Sequence, residues 1–328
     1  MKLLVTGGLG FIGSNFILKM LTEYNDFEII NVDAELNGSN KENLFDIQNH
    51  QNYEYVKGNI TNKRLMDELI SRCDMVVNFA AESFVDRSIS DADPFLVSNI
   101  RGAYTILDLA TKQKKRMIQV STDEVFGSLS IGKATEESKF NPSNPYAATK
   151  AAAELLINSY LTTYESDIVI TRCTNNYGPR QFPEKLIPKT ILLAKQEKRI
   201  PIYGNGKNIR DWIFVDDHCN AIYEVMMKGK SGQSYNISAN NEISNLEIVN
   251  EILDIIGKSK DLIEFVEDRP GHDYRYSLDS SKIEKQLGYT TKVGFKEGIK
   301  KTVEWYEKNL NWIENISNDI LKPTPWKN

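Results

Sequence analysis

A glycine-rich stretch near the beginning of the chain, Thr6-Gly7-Gly8-Leu9-Gly10-Phe11-Ile12-Gly13, decides the fold. It follows an apolar run that predicts a strand, Lys2–Thr6, and precedes a segment that predicts a helix, Phe11–Leu21. Its glycines fit both the G-x-G-x-x-G spacing and the wider G-x-x-G-x-x-G spacing. Because glycine has no Cβ, this backbone can turn sharply and approach a pyrophosphate at the helix N-terminus. The stretch therefore predicts a dinucleotide-binding turn.

A carboxylate follows the second predicted strand, at Asp33, 20 residues after Gly13. A carboxylate at this position accepts hydrogen bonds from the adenosine ribose hydroxyls, and its charge would repel the 2′-phosphate of NADP. No arginine follows it closely. The pattern therefore favours NAD as the cofactor. The alternative is that Asp33 is an ordinary residue of a strand-end turn.

Short apolar runs alternate with helical segments through the first half of the chain. This alternation predicts βαβ units and an α/β fold with a doubly wound, Rossmann-type parallel sheet. Strands are predicted at 2–6, 28–32, 53–57, 74–78, 116–121 and 167–172, and helices at 11–21, 63–71, 94–111 and 145–164. After about residue 175 the strands become shorter, and helices are predicted at 185–195, 216–228, 245–256 and 295–310.

This change of pattern predicts two domains. Residues 1–175 would form an NAD-binding domain that also carries the catalytic residues. Residues 176–328 would form a smaller C-terminal α/β domain that mainly binds the substrate, with some segments returning to the sheet.

Composition excludes several classes of protein. The 328 residues carry a net charge of -5, so the basic excess typical of nucleic-acid binding is absent. No apolar run approaches the roughly 18–20 residues of a membrane span, and no signal peptide begins the sequence. The three cysteines and three histidines are scattered without metal-ligand spacing. We therefore expect a cytoplasmic protein without nucleic-acid, membrane or metal binding.

The Tyr-x-x-x-Lys pattern occurs three times, at 53–57, 146–150 and 203–207. Only Tyr146 and Lys150 fall near the start of a predicted helix, where residues i and i+4 share a face. There the lysine ammonium would lower the pKa of the phenol, which would make Tyr146 a base for a substrate hydroxyl. The alternative is an ordinary pair on a helix surface.

A second candidate site follows the predicted strand at 116–121, in the block Thr122-Asp123-Glu124-Val125-Phe126-Gly127. Ligands of open parallel sheets bind beyond the carboxyl ends of the strands. Adjacent acids on a loop are often only solvated. Here they could instead supply a general acid and a general base, if their surroundings push their pKa values apart.

Taken in this order, the glycine turn, Thr122 and Tyr146-x-x-x-Lys150 resemble the extended short-chain dehydrogenase/reductase family. The block at 122–127 resembles the nucleotide-sugar 4,6-dehydratases of that family, best known as dTDP-glucose 4,6-dehydratase. The likeness continues through further motifs at 80–88, 99–102, 175–179, 182–188, 203–206, 209–212, 269–273 and 302–306. It implies a lyase that removes water from a nucleotide-diphosphate sugar.

The resemblance also implies a mechanism. Thr122 would hydrogen-bond the sugar 4-hydroxyl, Tyr146 would take its proton, and Lys150 would bind the nicotinamide ribose while NAD takes the C4 hydride. Glu124 would then remove the C5 proton, and Asp123 would protonate the departing 6-hydroxyl. Hydride return to C6 would give a 4-keto-6-deoxy sugar. By the same resemblance, the helices at 94–111 and 145–164 would pair in a homodimer through a four-helix bundle.

Binding residues are implied by the same motifs. Those for the cofactor are Gly7, Gly10, Phe11, Ile12, Gly13, Asp33, Asn59, Ile60, Ala80, Ala81, Asn99, Tyr146 and Lys150. Those for the nucleotide and its phosphates are Ser83, Asn176, Lys185, Leu186, Pro201, Tyr203, Arg210, Asn245, Arg269 and His272, with Tyr203 near the base. Two arginines have an alternative, since Arg210 beside Asp211 and Arg269 beside Asp268 could form surface ion pairs.

Four positions depart from the family pattern. Phe84 and Asn78 stand where histidine is common, Glu35–Ser39 replaces Leu-Thr-Tyr-Ala-Gly, and Asn59 replaces the aspartate that receives the adenine amino group. The side-chain carbonyl of Asn59 could still accept that bond. Phe84 could face a 2-acetamido methyl group, which adds UDP-N-acetylglucosamine to dTDP-glucose as a candidate substrate.

Other functions remain open. A related epimerase, or an enzyme of 5,6-unsaturated UDP-sugars, would keep the fold, although the acid pair argues against simple C4 epimerisation. A non-catalytic NAD sensor is a further alternative, but a sensor would not need Thr122, Tyr146 and Lys150 together.

Overall fold

The computed structural model describes residues 1–24, 26–309, 311–312, 321 and 326–327. Its centre is a seven-stranded parallel sheet in the order β3-β2-β1-β4-β5-β6-β10. The strands are β1 Lys2–Thr6, β2 Glu28–Asp33, β3 Tyr53–Lys57, β4 Met75–Asn78, β5 Arg116–Thr122, β6 Ile168–Cys173, β7 Asn175–Tyr177, β8 Ile200–Tyr203, β9 Ile209–Phe214, β10 Ser234–Ile237, β11 Glu242–Ser244 and β12 Ile263–Val266. The order reverses between β1 and β4, where ligands bind in open sheets of this type.

Helices cover both faces of this sheet. They are α1 Phe11–Thr22, α2 Lys63–Ser71, α3 Val85–Ser90, α4 Asp93–Phe95, α5 Ala103–Lys112, α6 Pro145–Tyr164, α7 Leu186–Lys195, α8 Val215–Lys228, α9 Asn245–Ile256, α10 Ser281–Leu287 and α11 Phe295–Lys308. Apolar side chains of α1 and α8 pack on one face, and those of α2, α5 and α6 pack on the other. Burial on both faces explains why the strands are nearly continuous apolar runs.

Two small sheets lie in the second half of the chain. In one, β9 pairs with β11 in antiparallel fashion and with β7 in parallel, and in the other β8 pairs with β12 in parallel. The expected return to the large sheet is made by β10, which pairs with β6. The Rossmann-type fold predicted from the sequence is therefore confirmed, while the domain boundary at residue 175 stays a prediction.

The predicted helix at 94–111 differs from the structure. It is divided into α4, a π-helical turn at Leu96–Gly102, and α5. The wider turn carries Asn99, whose side chain bonds a neighbouring loop, and Gly102, where a Cβ would lie 2.5 Å from Ile60. Such turns are rare and occur often at functional sites. The predicted end of the last helix, Leu310, lies outside the described residues.

The start of α6 fixes the positions of Tyr146 and Lys150. Asn144 caps the helix by accepting a hydrogen bond from Ala147 N, and Pro145 occupies the first helical turn. Tyr146 and Lys150 therefore lie one turn apart on a buried face. The other two Tyr-x-x-x-Lys patterns are in β3 and in the turn after β8, as expected. No helix among the described residues is long and apolar enough to cross a membrane.

Candidate active site

A cavity of about 420 Å³ opens at the carboxyl ends of the central strands. It is lined by the glycine turn, by the segments that follow β2, β4 and β5, and by the start of α6. Segments from the second half of the chain form the opposite wall. Every residue predicted for catalysis, cofactor or substrate lines this cavity, except Asn99.

Asn99 lies behind the wall and is buried. Its amide accepts from Glu82 N at 2.9 Å and donates to Glu82 O and to the Thr149 hydroxyl, both at 3.0 Å. The structure therefore does not support Asn99 as a direct cofactor ligand, because its polar atoms are already bonded to the protein. It fixes the loop after β4 instead.

The glycine turn fits a dinucleotide for steric reasons. Gly7 has a φ of +71°, and a Cβ there would lie 2.7 Å from the backbone of Ala80. A Cβ on Gly13 would lie 2.5 Å from Gly7 O. Gly10 begins α1 without a side-chain cap, so no capping side chain competes for the first amides of the helix. These donors suit a pyrophosphate.

Asp33 has a second task beyond the one predicted. Its Oδ2 accepts from Leu9 N at 3.0 Å, and its Oδ1 accepts from Glu35 N and the Ser39 hydroxyl, both at 2.8 Å. Each carboxylate oxygen accepts about two hydrogen bonds, so Oδ2 keeps a position for a ribose hydroxyl. The unusual loop at 35–39 is thus tied to the cofactor carboxylate.

Asn59 is arranged differently from the prediction. Its side-chain carbonyl accepts from Thr61 N at 2.9 Å and from the Thr61 hydroxyl at 2.8 Å. The acceptor expected for the adenine amino group is therefore already used within the protein, although Asn59 lines the cavity.

Thr122 ends β5, and Asp123 and Glu124 follow in a tight 3₁₀ turn at Asp123–Phe126. The turn closes at Gly127, whose φ is +67° and where a Cβ would lie 2.0 Å from Asn141 O. The Thr122 hydroxyl donates to Asp123 Oδ1 at 3.2 Å and accepts from Glu124 N at 3.3 Å. The turn therefore directs two carboxyl groups into the cavity from a fixed position.

The two acids have different environments. Asp123 is 4% exposed, whereas Glu124 is half-buried. Burial raises the pKa of Asp123 well above its usual value, the charge of Glu124 raises it further, and Arg210 lowers it. One oxygen of Asp123, Oδ2, is buried and has no hydrogen-bond partner among the described residues. A raised pKa favours the protonated form of a carboxyl group, which a general acid requires.

The Tyr146–Lys150 pair has the expected spacing but not the expected electrostatics. Burial raises the pKa of Tyr146, the charge of Glu124 raises it further, and a hydrogen bond with Thr122 lowers it. Burial lowers the pKa of Lys150 to about 8, and its ammonium donates to Val120 O at 2.8 Å. The predicted lowering of the phenol pKa is therefore wrong for the protein alone, because burial and the nearby carboxylates raise it.

Two contacts of Glu124 were missed by sequence reasoning. Asn144 donates from its amide to Glu124 Oε2 at 3.3 Å, and the Tyr276 hydroxyl lies 3.4 Å from the same oxygen. Asn144 precedes a proline at the start of a helix, which is a recognisable capping signal. Tyr276 carries no local signal, since it is 152 positions from Glu124.

The opposite wall of the cavity collects cationic and aromatic side chains. Arg269 donates to Asp86 Oδ1 at 2.7 Å, and the Tyr203 hydroxyl donates to Asp86 Oδ2 at 2.9 Å. The Arg269 Nε is buried and has no hydrogen-bond partner in the part of the chain that the structure describes, which leaves a donor for an anion. Burial and the nearby charges of Arg269 and Arg210 together lower the pKa of His272 to about 4, so this imidazole is neutral near pH 7.

The alternative of two surface ion pairs is wrong. The side chain of Arg269 pairs with Asp86, and its contact with Asp268 is made by the backbone N–H. The Arg210 guanidinium donates to the carbonyls of Ile209, Tyr274 and Asp273 and lies over the Tyr276 ring, 4.3 Å from its centre. Arg210 is buried and Arg269 is half-buried, and both line the cavity.

Two further predicted residues are partly engaged with the protein. Lys185 donates to Ser83 O at 2.8 Å, and burial lowers its pKa. Asn176 donates to Thr174 O at 3.0 Å, and its carbonyl oxygen lies 2.9 Å from His218 Nδ1. Each lines the cavity, but only part of its hydrogen-bonding capacity is available to a ligand.

Phe84 lies at the junction of the two walls. It is 5% exposed and makes an edge contact with Phe182, with ring centres 5.6 Å apart. The Lys185 ammonium lies 4.8 Å from its centre. A Cβ on Gly38 would lie 3.0 Å from the ring, so two departures from the family pattern, Phe84 and the loop after Asp33, contact each other.

Comparison with known proteins gives matches over almost the entire chain. A family model described as GDP-mannose 4,6 dehydratase matches residues 4–302. The chain is 46% identical over 307 residues to low-salt glycan biosynthesis protein Agl12 of Haloferax volcanii, covering 93% of this chain and 98% of that one. It is 42% identical to dTDP-glucose 4,6-dehydratase of Streptomyces niveus, covering 97% and 96%. A crystal structure of dTDP-glucose 4,6-dehydratase from Bacillus anthracis in complex with NAD has a TM-score of 0.90 at 44% identity, covering 95% and 98%.

The matched region includes the whole cavity, from the glycine turn to Tyr276. The resemblance drawn from the motifs is therefore confirmed, and so is NAD as the cofactor. The chain belongs to the GDP-mannose 4,6-dehydratase family, the nucleotide-sugar 4,6-dehydratases of the extended short-chain dehydrogenase/reductases.

Proposed function

We propose that this protein is an NAD-dependent lyase that converts a nucleotide-diphosphate hexose into its 4-keto-6-deoxy derivative. One observation carries the proposal. A buried Asp123, whose pKa burial raises well above its usual value, and a half-buried Glu124 share one turn with Thr122, beside Tyr146, in the cavity that also contains the glycine turn. Oxidation alone would need no acid pair. Elimination of water needs a base for the C5 proton and an acid for the leaving oxygen.

Each catalytic side chain has one role. Thr122 holds the sugar 4-hydroxyl, and Tyr146 takes the proton from it. Glu124 removes the C5 proton, which is acidified by the new ketone at C4, and Asp123 gives its proton to the 6-hydroxyl so that water leaves. Glu124 then returns a proton to C5. When bound, NAD supplies the reversible hydride acceptor between C4 and C6, and its oxidised ring brings a positive charge that favours the Tyr146 phenolate.

One proton remains to be redistributed after each cycle. Tyr146 holds the proton of the 4-hydroxyl, whereas Asp123 has lost its proton to water. Thr122 donates to Asp123 Oδ1 at 3.2 Å, and it lies close enough to Tyr146 for its hydroxyl to lower the pKa of the phenol. Its hydroxyl can therefore accept a proton from Tyr146 while donating its own to Asp123, which restores the starting state.

The nucleotide diphosphate would bind on the opposite wall. Arg269 and Arg210 are suited to the phosphates because a guanidinium donates several hydrogen bonds in one plane. Lys185 adds positive charge. Tyr203, which the Asp86 carboxylate holds in place, would pack near the base. The remaining wall residues predicted from the motifs, Ser83, Asn176, Leu186, Pro201, Asn245 and His272, would complete this half of the site.

The favoured substrate is dTDP-glucose. Dehydratases with that name align with this chain from end to end at 42% identity and above. Phe84 is the reason to keep UDP-N-acetylglucosamine as a second candidate, although Phe182, Lys185 and Gly38 already surround much of its ring.

Product masses test the proposal directly. The purified protein is incubated separately with dTDP-glucose, UDP-glucose and UDP-N-acetylglucosamine, and each product is examined by mass spectrometry and NMR. We expect loss of one water, with the highest kcat/KM for dTDP-glucose. Epimer formation without water loss would assign the site to an epimerase. Binding of NAD without turnover of any of the three sugars would favour a sensor.

We also propose a homodimer formed by the π-helical turn, α5 and α6. Large apolar side chains are exposed on these helices, namely Leu96, Val97, Tyr104, Leu155 and Tyr164. Paired helices of two subunits would bury them in a four-helix bundle. Leu155→Glu should shift the molecular mass measured by light scattering from dimer to monomer, whereas exposed Ile131→Glu, outside these helices, should leave it unchanged.

A further inference from the structure

The base proposed for C5, Glu124, faces a protein wall as well as the cavity. A bound hexose would cover the cavity side of this half-buried carboxyl group. On the other side lie the Asn144 amide, at 3.3 Å, and the Tyr276 hydroxyl, at 3.4 Å, both next to Oε2. Asn144 can only donate a hydrogen bond there. Tyr276 can both accept and donate, so it is the contact through which a proton can move.

The Tyr276 hydroxyl is bonded onward to a second carboxylate. It lies 2.5 Å from Asp273 Oδ2, and burial raises the pKa of Tyr276 well above its usual value. The phenol therefore stays neutral and has one proton to donate. Because the contact with Asp273 is the shorter one, that proton points to Asp273, and Tyr276 presents a lone pair towards Glu124.

The path continues to the protein surface. The Ser143 hydroxyl donates to the same oxygen of Asp273, and Ser143 is exposed whereas Asp273 is 6% exposed. Arg210 holds the segment that carries Asp273 and Tyr276 in place, because its guanidinium donates to Asp273 O at 2.8 Å and lies over the Tyr276 ring. A continuous hydrogen-bonded chain thus leads from the cavity to solvent, through Glu124, Tyr276, Asp273 and Ser143.

We propose that Tyr276, Asp273 and Ser143 form a proton relay through which Glu124 exchanges its proton with solvent while the sugar is bound. This inference rests on the proposed function. When Glu124 has taken the C5 proton, its carboxyl group donates that proton to the Tyr276 oxygen, and Tyr276 passes its own proton to Asp273. Asp273 then releases a proton through the Ser143 hydroxyl to water. One proton moves outward, or inward in the reverse direction, and no carbon bond changes.

The relay predicts an isotope result. In D₂O with unlabelled dTDP-glucose, the wild-type protein should place solvent deuterium at C5 of the product. Tyr276→Phe removes the hydroxyl oxygen that links the two carboxyl groups, so Glu124 should return the same proton that it removed. The fraction of product carrying deuterium at C5, measured by NMR at early conversion, should fall at least fivefold. Asp273→Asn should also lower it.

Tyr274→Phe is the matched control, because this tyrosine is two positions away and 55% exposed. It should keep the wild-type deuterium fraction. A lower rate with unchanged deuterium in Tyr276→Phe would overturn the relay and leave only a structural role, and so would protium at C5 in the wild-type product. If Tyr276→Phe is inactive, Asp273→Asn decides, since it keeps the ring over Arg210. Absence of dehydration by the wild-type protein would instead refute the proposed function.

Discussion

The two walls of the cavity are assembled in different ways. The part of the cofactor wall made by the glycine turn and Asp33 comes from contiguous sequence, since both belong to one strand–turn–helix–strand unit. The nucleotide wall comes from distant positions, and Asp86 contacts residues 117 and 183 positions away, Tyr203 and Arg269. The turn at Asp123–Phe126 lies between them. The glycine turn and Asp33 are therefore positioned by local sequence, whereas the nucleotide wall depends on packing between remote segments.

The largest expected effect concerns the turn between the walls. Glu124→Gln keeps the shape and the contacts with Asn144 and Tyr276 but removes the base. Formation of 4-keto-6-deoxy product should fall by about a thousandfold, within the range for general-base removal. Oxidation at C4 remains possible, so NADH fluorescence should still rise after addition of dTDP-glucose. Product formation at the wild-type rate would remove Glu124 from the mechanism.

Substitutions in the nucleotide wall should weaken binding of the sugar nucleotide without weakening binding of NAD. Arg269→Lys keeps the charge but loses the planar fork that binds Asp86 and, by our proposal, a phosphate. We expect KM for dTDP-glucose to rise about 10- to 100-fold, because charge-assisted hydrogen bonds contribute roughly 1.5–3 kcal/mol. The Kd for NAD, measured by calorimetry, should stay within about twofold.

Arg275→Lys is the matched control for that change. Arg275 pairs with Glu242, with its Nε 2.6 Å from the carboxylate, and does not line the cavity. Its replacement should change neither KM nor the Kd for NAD. Equal weakening of NAD and sugar binding by Arg269→Lys would contradict the separation of the two walls.

The protonation of Lys150 should limit activity at high pH. Burial lowers its pKa from 10.5 to about 8, so the ammonium form is lost as the pH rises through that value. If the ammonium is required, kcat/KM should decline about tenfold per pH unit above the transition. A flat profile between pH 8 and 10 would exclude that requirement.

The same shift has an opposite consequence for stability. The unfolded chain binds the Lys150 proton more tightly than the folded protein, so the folded protein carries a cost below pH 8 that disappears towards pH 10.5. Lys150→Met should therefore be inactive, yet its free energy of unfolding at pH 7 should rise by up to about 3 kcal/mol. Urea denaturation of both proteins at pH 7 and at pH 10.5 measures this difference. A lower free energy of unfolding for Lys150→Met than for the wild type at pH 7 would contradict it.

The smallest effect concerns the cofactor wall. Ser39→Ala removes the 2.8 Å hydrogen bond to Asp33 Oδ1 but leaves the carboxylate and its bond to Leu9. The Kd for NAD should rise only about 2- to 10-fold, as for one neutral donor. Ser71→Ala, at an exposed site in α2, is the control. A complete loss of NAD binding would mean that the loop, rather than the glycine turn, carries the affinity.

Sequence reasoning succeeded where chemistry follows from local spacing. The glycine turn could be predicted because its positions leave no room for a Cβ. The relative position of Tyr146 and Lys150 could be predicted because it depends only on the helix and on the residue at which the helix starts. It failed where a contact joins remote segments. Nothing near Tyr276 indicates its position beside Glu124, and nothing near Asn99 shows that its amide is used by Glu82.

Electrostatics was the other limit. The sequence places a lysine beside Tyr146, but only the fold shows that burial reverses the expected change in the pKa of the phenol. The same burial produces the raised pKa of Asp123. Desolvation depends on the whole surrounding structure, so the pKa shift that it causes cannot be predicted from the neighbouring residues in the sequence.

In the proposed reaction, one hydride leaves C4 and returns to C6 of the same sugar, and the two carboxyl groups of the turn after β5 catalyse the loss of water. dTDP-glucose carrying deuterium at C4 tests it in a single experiment. NMR and mass spectrometry of the product should show one water lost and the deuterium at C6. Deuterium retained at C4, or released to solvent, would contradict the account.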